Sequence, residues 1–271
     1  MRLLVIILAL LLAGADCEPA PPDPPPGPNP KGGTDYCHGL EYTILDSAVS
    51  GVKGIWNTII GGEESSNRRA TVQVFFGNSY CSGVLLSPHT VLTAGHCGYG
   101  GSTAHTVRIN GVNYQSTAEN KVVHPEYLKY INSGNTYFEG RKADLMLLYT
   151  DESMPGPYIS AYRIYTSDLA DKCYGLIAQG WGRGGEPGTL NEAKYKITEE
   201  TDKMIKSVLT DVGKICFGDS GGPLYADAGP GQLYLAGITS VTYSADCLTG
   251  GAHVKVANQS FNDWIWANAR P

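Results

Sequence analysis

Three short strings in this 271-residue chain hold side chains that could act on a carbonyl. Residues 216–224 run Cys-Phe-Gly-Asp-Ser-Gly-Gly-Pro-Leu and centre on Ser220. A serine hydroxyl is a weak nucleophile unless it is exposed, held still and paired with a base. Flanking glycines permit a tight turn and leave room for a substrate. They also let the Gly218 and Ser220 amides point at one spot, where two N–H groups would stabilise the oxyanion of a tetrahedral intermediate. Taken alone, the string also reads as a structural turn. Residues 91–97, Val-Leu-Thr-Ala-Gly-His-Cys, place His96 after a β-branched apolar run. Imidazole suits proton transfer near neutrality, yet the chain has 6 histidines, and one at a strand end is commonly structural. Residues 143–148, Ala-Asp-Leu-Met-Leu-Leu, put Asp144 at the head of an apolar run. A buried carboxylate needs hydrogen bonds. A histidine N–H would supply one, and the carboxylate would then set the tautomer of that ring. A solvated strand-end aspartate is the competing reading.

Short strands must carry these residues. The spacing predicts strands at 72–76, 82–86, 90–93, 106–109, 145–149, 176–179, 233–239 and 253–256, separated by Gly, Ser, Asn and Pro clusters. Phe261, Trp264 and Ile265 fall at helical spacing with Ser260 as a plausible N-cap, which predicts one C-terminal helix. The 34 glycines and 17 tyrosines, with only 17% charged residues, favour an all-β sandwich or barrel over a parallel α/β sheet. The net charge of −6 and the lack of a Lys/Arg block exclude a nucleic-acid footprint, so no nucleic-acid partner is expected.

The N-terminus reads as an export signal over residues 1–15. Arg2 is followed by the apolar run from Leu3 to Leu12 and the small residues Ala13-Gly14-Ala15. That run is too short for a membrane span, and no later segment comes close. Residues 19–30 form a stiff Pro-rich spacer. Residues 16–58 as a whole read as this spacer plus a propeptide or N-terminal extension, and 59–271 as the folded domain. The 7 cysteines, Cys17, Cys37, Cys81, Cys97, Cys173, Cys216 and Cys247, suit an oxidising, extracellular compartment. Their odd number leaves at least one without a partner in the chain. Cys17 raises a second reading, lipid anchoring, against which the charged Asp16 before it counts.

Together the three strings resemble the trypsin/chymotrypsin family, in which the order is His, Asp, Ser. The resemblance runs from Ile59 to Trp266. It includes Ile59-Ile60-Gly61-Gly62 as a mature N-terminus, Val123-His124-Pro125-Glu126-Tyr127 as a recurring strand, Gly180-Trp181-Gly182 mid-chain, and Gly237-Ile238-Thr239-Ser240 beside the specificity pocket. The resemblance implies two packed antiparallel six-stranded β-barrels with a C-terminal helix and the site between them. It implies Ser220 as nucleophile, His96 as base and Asp144 as the group orienting it, with Gly218 and Ser220 amides as oxyanion hole. Asp219 would pair with a freed α-amino group on Ile59, the zymogen switch. Cys81–Cys97 and Cys216–Cys247 are the implied disulfides, and Lys214, Ser240 and Gly251 the pocket positions. Polypeptide substrates follow, without metal or cofactor. Oligomeric state is left open.

Departures from the family pattern matter. Thr58 precedes Ile59 where the family has Arg or Lys, so self-activation at that bond is not expected. Lys53 is the nearest basic residue upstream, and a cut there would expose Gly54 instead. Gly95 replaces an alanine. Lys214 stands at the pocket-floor position in place of an aspartate and, with His253 nearby, could attract acidic side chains; a solvated lysine is the alternative. Ala226 stands where relatives have a cysteine, which leaves Cys173 and Cys37 to pair or to remain free thiols. Asn258-Gln259-Ser260 matches a glycosylation sequon, but its place at a helix start favours capping. A non-catalytic binding module on the same fold and an esterase using the same three residues are the rival functions.

Overall fold

The computed structural model describes residues 63–65, 70–98, 104–117, 119–134, 141–160, 164–165, 175–182, 189–209, 213–227, 233–243, 247 and 250–271. The expected leader (1–15), the extension (16–58), Ile59, Cys17, Cys37 and Cys173 lie outside the described residues.

The described strands form two antiparallel sheets. The first is built from β2 (Thr71–Phe76), β3 (Ser79–Ser87), β4 (Thr90–Thr93), β5 (Ala104–Ile109), β6 (Val112–Thr117), β7 (Lys121–Val123) and β8 (Met146–Tyr149), in the spatial order β6-β5-β2-β3-β4-β8-β7. It curls as a half-barrel around Val72, Val74, Val84, Leu92, Val107 and Leu147, all essentially without solvent contact. The second contains β9 (Gly175–Gly180), β10 (Asn191–Glu200), β11 (Met204–Leu209), β12 (Pro223–Asp227), β13 (Leu233–Thr242) and β14 (Gly251–Lys255). Its order is β10-β11-β14-β13-β12-β9, and β9 pairs back onto β10 to close a six-stranded barrel. The two-residue β1 (Glu63–Glu64) adds to the β10 edge. Leu176, Ala193, Tyr195, Ile205, Leu224 and Ala236 fill this barrel. Closure removes the sheet edges that would otherwise invite pairing with other chains.

Among the described residues two α-helices accompany the sheets. The C-terminal helix α2 (Gln259–Asn268) docks through buried Phe261 and Ile265. Its cap is Asn258, whose side-chain oxygen accepts from the Phe261 amide at 3.2 Å, so the cap lies two residues before the expected Ser260. The Ser260 hydroxyl instead donates to Asn258 Oδ1 at 2.7 Å. Asn258 is buried, which fits capping and not sugar attachment. Helix α1 (Pro125–Asn132) departs from the strand expected at 123–127: the strand stops at Val123. Pro125 has no N–H to give a sheet but suits the first turn of a helix, and His124 Nδ1 accepts from the Glu126 amide at 3.2 Å. Among the described residues no helix is long and apolar enough to cross a membrane.

Candidate active site

Strand register brings the first two functional side chains together. β4 and β8 pair antiparallel with Thr93 opposite Met146. His96 lies just past the end of β4, in the 3-10 turn Gly95–Cys97, and Asp144 lies just before the start of β8, after the turn Arg141–Ala143. Both therefore emerge at the same end of neighbouring strands. His96 Nδ1 is 2.7 Å from Asp144 Oδ2, and the His96 main-chain amide donates to Asp144 Oδ1 at 2.7 Å. Gly95 fits here for a steric reason. A Cβ on residue 95 would stand 2.7 Å from the Tyr127 ring and 3.1 Å from Asp144 Oδ1.

Asp144 is fully buried. Its Oδ2 also accepts from the Ser240 hydroxyl at 2.6 Å and from Arg141 Nη1 at 2.8 Å. Burial pushes its carboxyl up, but His96, Arg141 and the Ser240 hydroxyl together outweigh that and hold it well below the usual carboxylate range.

Ser220 sits in the loop before β12, clamped between the two sheets. Its carbonyl accepts from the Ser82 amide of β3 at 2.8 Å, and the Gly221 amide donates to the Thr239 carbonyl of β13 at 2.7 Å. The Ser82 hydroxyl donates to the Gly218 carbonyl at 2.9 Å and accepts from the Trp181 amide at 2.9 Å. Gly221 has φ +80°, and a Cβ there would lie 2.0 Å from Thr93 Oγ1, so this turn requires glycine. The sulfur of Cys97 lies 4.0 Å from His96 Nε2 and 3.8 Å from the Ser220 carbonyl, which places the nucleophile loop against the histidine turn. The Gly218 and Ser220 amides have no acceptor among the described residues.

Asp219, next to Ser220, is buried. Its Oδ1 accepts from the Gly182 amide at 2.7 Å and its Oδ2 from the Cys216 amide at 2.8 Å. Among the described residues no cation reaches it. Burial pushes its carboxyl up to about 7, against the smaller downward pull of the two amides.

Both implied disulfides are formed. Cys81–Cys97 ties β3 to the histidine turn with Cα atoms 6.2 Å apart, and Cys216–Cys247 holds the nucleophile loop at 5.3 Å. Cys81, His96 and Cys97 are also a grouping of metal-ligand types. The two sulfurs are bonded to each other and offer no thiolate to an ion.

The pocket positions are less uniform. Ser240 uses its hydroxyl on Asp144. Gly251 pairs across strands with Thr242 and Ser207. Lys214 is half-buried and has no hydrogen bond or ion pair among the described residues. His253 departs from the expectation of a second group attracting acidic side chains. It is fully buried between Ser207 Oγ, at 2.9 Å from Nε2, and Thr239 Oγ1, at 3.2 Å from Nδ1. Burial pulls its pKa down to about 3, so it is a neutral core histidine at physiological pH. Arg141 and Ser82 are site residues that sequence reasoning did not find. The signal for Arg141 was its position three residues before Asp144 at the entry to a strand; nothing local marked Ser82.

The Trypsin family model matches residues 59–265. The chain is 33% identical over 219 residues to kallikrein 1-related peptidase b27 of Mus musculus, covering 69% of this chain and 80% of the mouse protein. It is 28% identical over 254 residues to kallikrein-4 of Homo sapiens, covering 83% and 93%. It is also 28% identical over 236 residues to tonin of Rattus norvegicus, covering 76% and 88%. With its half-barrel beside a closed six-stranded barrel, the two disulfides among the described residues and this match across the folded domain, the chain belongs to the trypsin family of serine proteases.

Proposed function

We propose that the protein is a secreted serine endopeptidase, made as a precursor, that cleaves polypeptides through an acyl-enzyme. The observation that carries this is the pair of hydrogen bonds joining one histidine to one buried carboxylate. Asp144 holds both the ring and the main chain of His96, at 2.7 Å each, beside the loop that presents Ser220. With Nδ1–H donated to Asp144, the free Nε2 is the basic nitrogen. The Ser220 hydroxyl attacks the scissile carbonyl and gives its proton to His96. The imidazolium then passes that proton to the leaving amine, and water repeats the cycle to release the acid. The unengaged amides of Gly218 and Ser220 support a role as oxyanion donors.

Asp219 supports the precursor reading. Its buried carboxylate is met only by main-chain amides among the described residues, and a freed Ile59 amino group is the cation that would complete it. In this reading residues 1–15 direct export, residues 16–58 are removed or retained as an extension, and Cys37 pairs with Cys173. Thr58 before Ile59 calls for a separate activating protease. Unpaired Lys214 at the pocket floor, without help from His253, gives a preference for acidic side chains before the cut.

The test is labelling of the full-length secreted protein, before and after proteolytic release of Ile59, with a fluorophosphonate. Labelling of the released form at Ser220, absent in Ser220→Ala, is expected. A released form that does not react would overturn the enzyme reading in favour of a binding module, and turnover of esters but not amides would make it an esterase. A peptide panel varying the residue before the cut reads the pocket, where preference for Arg or Lys would overturn the role given to Lys214.

A further inference from the structure

The Asp144 carboxylate carries one more donor than its chemistry has obvious use for. Three groups converge on Oδ2: His96 Nδ1 at 2.7 Å, Ser240 Oγ at 2.6 Å and Arg141 Nη1 at 2.8 Å. Oδ1 has the His96 amide. A carboxylate oxygen offers about two lone-pair directions, so the guanidinium and the imidazole compete for one atom. The arginine is held for this. It enters from the 3-10 turn directly before Asp144, and its side chain is 11% exposed against 0% for the aspartate. A guanidinium keeps its charge at every working pH, and a desolvated pair is poorly screened by salt.

We infer that Arg141 is a positioning residue that attenuates the triad, its fixed charge on Asp144 Oδ2 weakening the hold of that carboxylate on the His96 imidazolium. During acyl transfer His96 takes up the Ser220 proton and becomes a cation, and Asp144 stabilises that cation only with the negative charge it has left. A guanidinium at 2.8 Å answers much of this charge before the reaction begins.

The neighbouring elements supply no rival explanation among the described residues. Helix α1 brings Tyr127, whose ring faces Gly95, and Glu126, which pairs with Lys203. β13 brings the uncharged Ser240. β14 brings His253, turned to Ser207 and Thr239, and Lys255, paired with Glu200. Lys142, next to Arg141, is not among the charges acting on Asp144; only His96 and Arg141 are.

The inference rests on the proposed hydrolytic reading, so its test is made where no hydrolysis is needed. In the full-length Ser220→Ala protein, the His96 ring is titrated by NMR with arginine, methionine, glutamine or lysine at residue 141. Arg141→Met and Arg141→Gln remove the charge, and glutamine retains an N–H donor should methionine impair folding. Both are expected to move the His96 midpoint to higher pH by about half a pH unit to one pH unit, as removal of a like charge near a cation requires. Arg141→Lys keeps the charge and is expected to leave the midpoint in place. An unmoved or lowered midpoint in the two neutral variants overturns the inference, and so does an equal shift with lysine, which would show that fit and not charge is at work. In the Ser220 protein the same charge removal should raise kcat severalfold with KM unchanged. A fluorophosphonate-inert parent would defeat the enzyme reading while the titration still decides the role of Arg141.

Discussion

Two buried aspartates flank the same cleft and are treated in opposite ways. Asp144 is surrounded by side chains: an imidazole, a guanidinium and a hydroxyl, which hold its carboxyl far below the ordinary range. Asp219 meets only the amides of Gly182 and Cys216, and burial drives it up to about 7. The half of the site built on the first sheet is thus electrostatically complete within the described chain. The half built on the Ser220 loop has no cation on its carboxylate among the described residues. In the proposed precursor reading this division lets the base be preassembled while the loop proposed to bind the oxyanion waits for a freed terminus.

The largest effect that could break the comparison is on turnover. Asp144→Asn should reduce kcat of the activated enzyme about 10⁴-fold, because the amide would present the wrong partner to His96 Nδ1 and lose the charge opposite the imidazolium. Ser220→Ala should do at least as much, and the two together little more, since members of one catalytic unit are not additive. Active-site titration with single-turnover kinetics measures this. An Asp144→Asn enzyme within tenfold of the parent would mean that Asp144 is only structural.

Next in size is the dependence of precursor stability on pH, where the two carboxylates should pull in opposite directions. Asp219 keeps its proton in the folded chain up to about 7, whereas in the unfolded chain it loses it near 3.8. Between these values the native state binds the extra proton, so stability falls as pH rises, by on the order of a few kcal/mol. Asp144 is depressed, so its contribution is full above the unfolded carboxyl range and is lost as pH falls below it. The precursor should be most stable between these two windows. Asp219→Asn should flatten the upper limb and leave the acid limb alone. Release of Ile59 should flatten the upper limb by giving the carboxylate its cation. Urea midpoints across pH read both, and a flat upper limb in the parent precursor would remove the distinction between the two aspartates.

The disulfides offer a smaller test, since each staples one half. Cys81–Cys97 spans 16 residues and Cys216–Cys247 spans 31. Replacing either pair by alanine should cost about 3 kcal/mol in unfolding free energy, slightly more for the longer loop. The second replacement frees the loop whose Cys216 amide donates to Asp219, so it should also blunt the upper pH limb. The first should leave that limb intact.

How much of this was legible beforehand follows the physics of each element. The strand at Thr90–Thr93 was readable to the residue because its four side chains are all buried and β-branched or apolar. β10 was missed, although Ala193, Tyr195 and Ile197 alternate with Glu192, Lys194 and Lys196; the charges on its outer face hid a period of two. Helix α1 was missed because the expectation for 123–127 was a strand, against the plain statement of Pro125. His96, Asp144 and Ser220 could be named from three strings, but the meeting of His96 with Asp144 is set by the Thr93–Met146 register, which only long-range pairing fixes. His253 was misassigned for a related reason: whether a strand histidine faces a pocket or the core depends on its neighbours across the sheet, here Ser207 and Thr239. Arg141 was invisible because a basic residue in a turn is ordinarily a solvated one.

The smallest expected effect concerns Ser240, and it separates the two carboxylates by what kind of change each can feel. Ser240→Ala deletes one of the three donors on Asp144 Oδ2. A hydrogen bond to a charged group is worth about 1.5–3 kcal/mol, but His96 and Arg141 remain on the same atom and can close in. The net loss should therefore fall below that range, about 1 kcal/mol, with kcat/KM down by about tenfold or less. The acid limb of stability should be shallower and end at a slightly higher pH, because one of the groups holding the Asp144 proton off has gone. No comparable deletion exists for Asp219, since both its donors are main-chain amides that no side-chain substitution removes. Asp144 is thus tuned by residue identity, and Asp219 by where the backbone of its loop lies. A carboxylate that senses only backbone position is suited to report a moved chain terminus. A Ser240→Ala variant that altered the upper pH limb as much as the acid one would show that the two sites are not separable in this way.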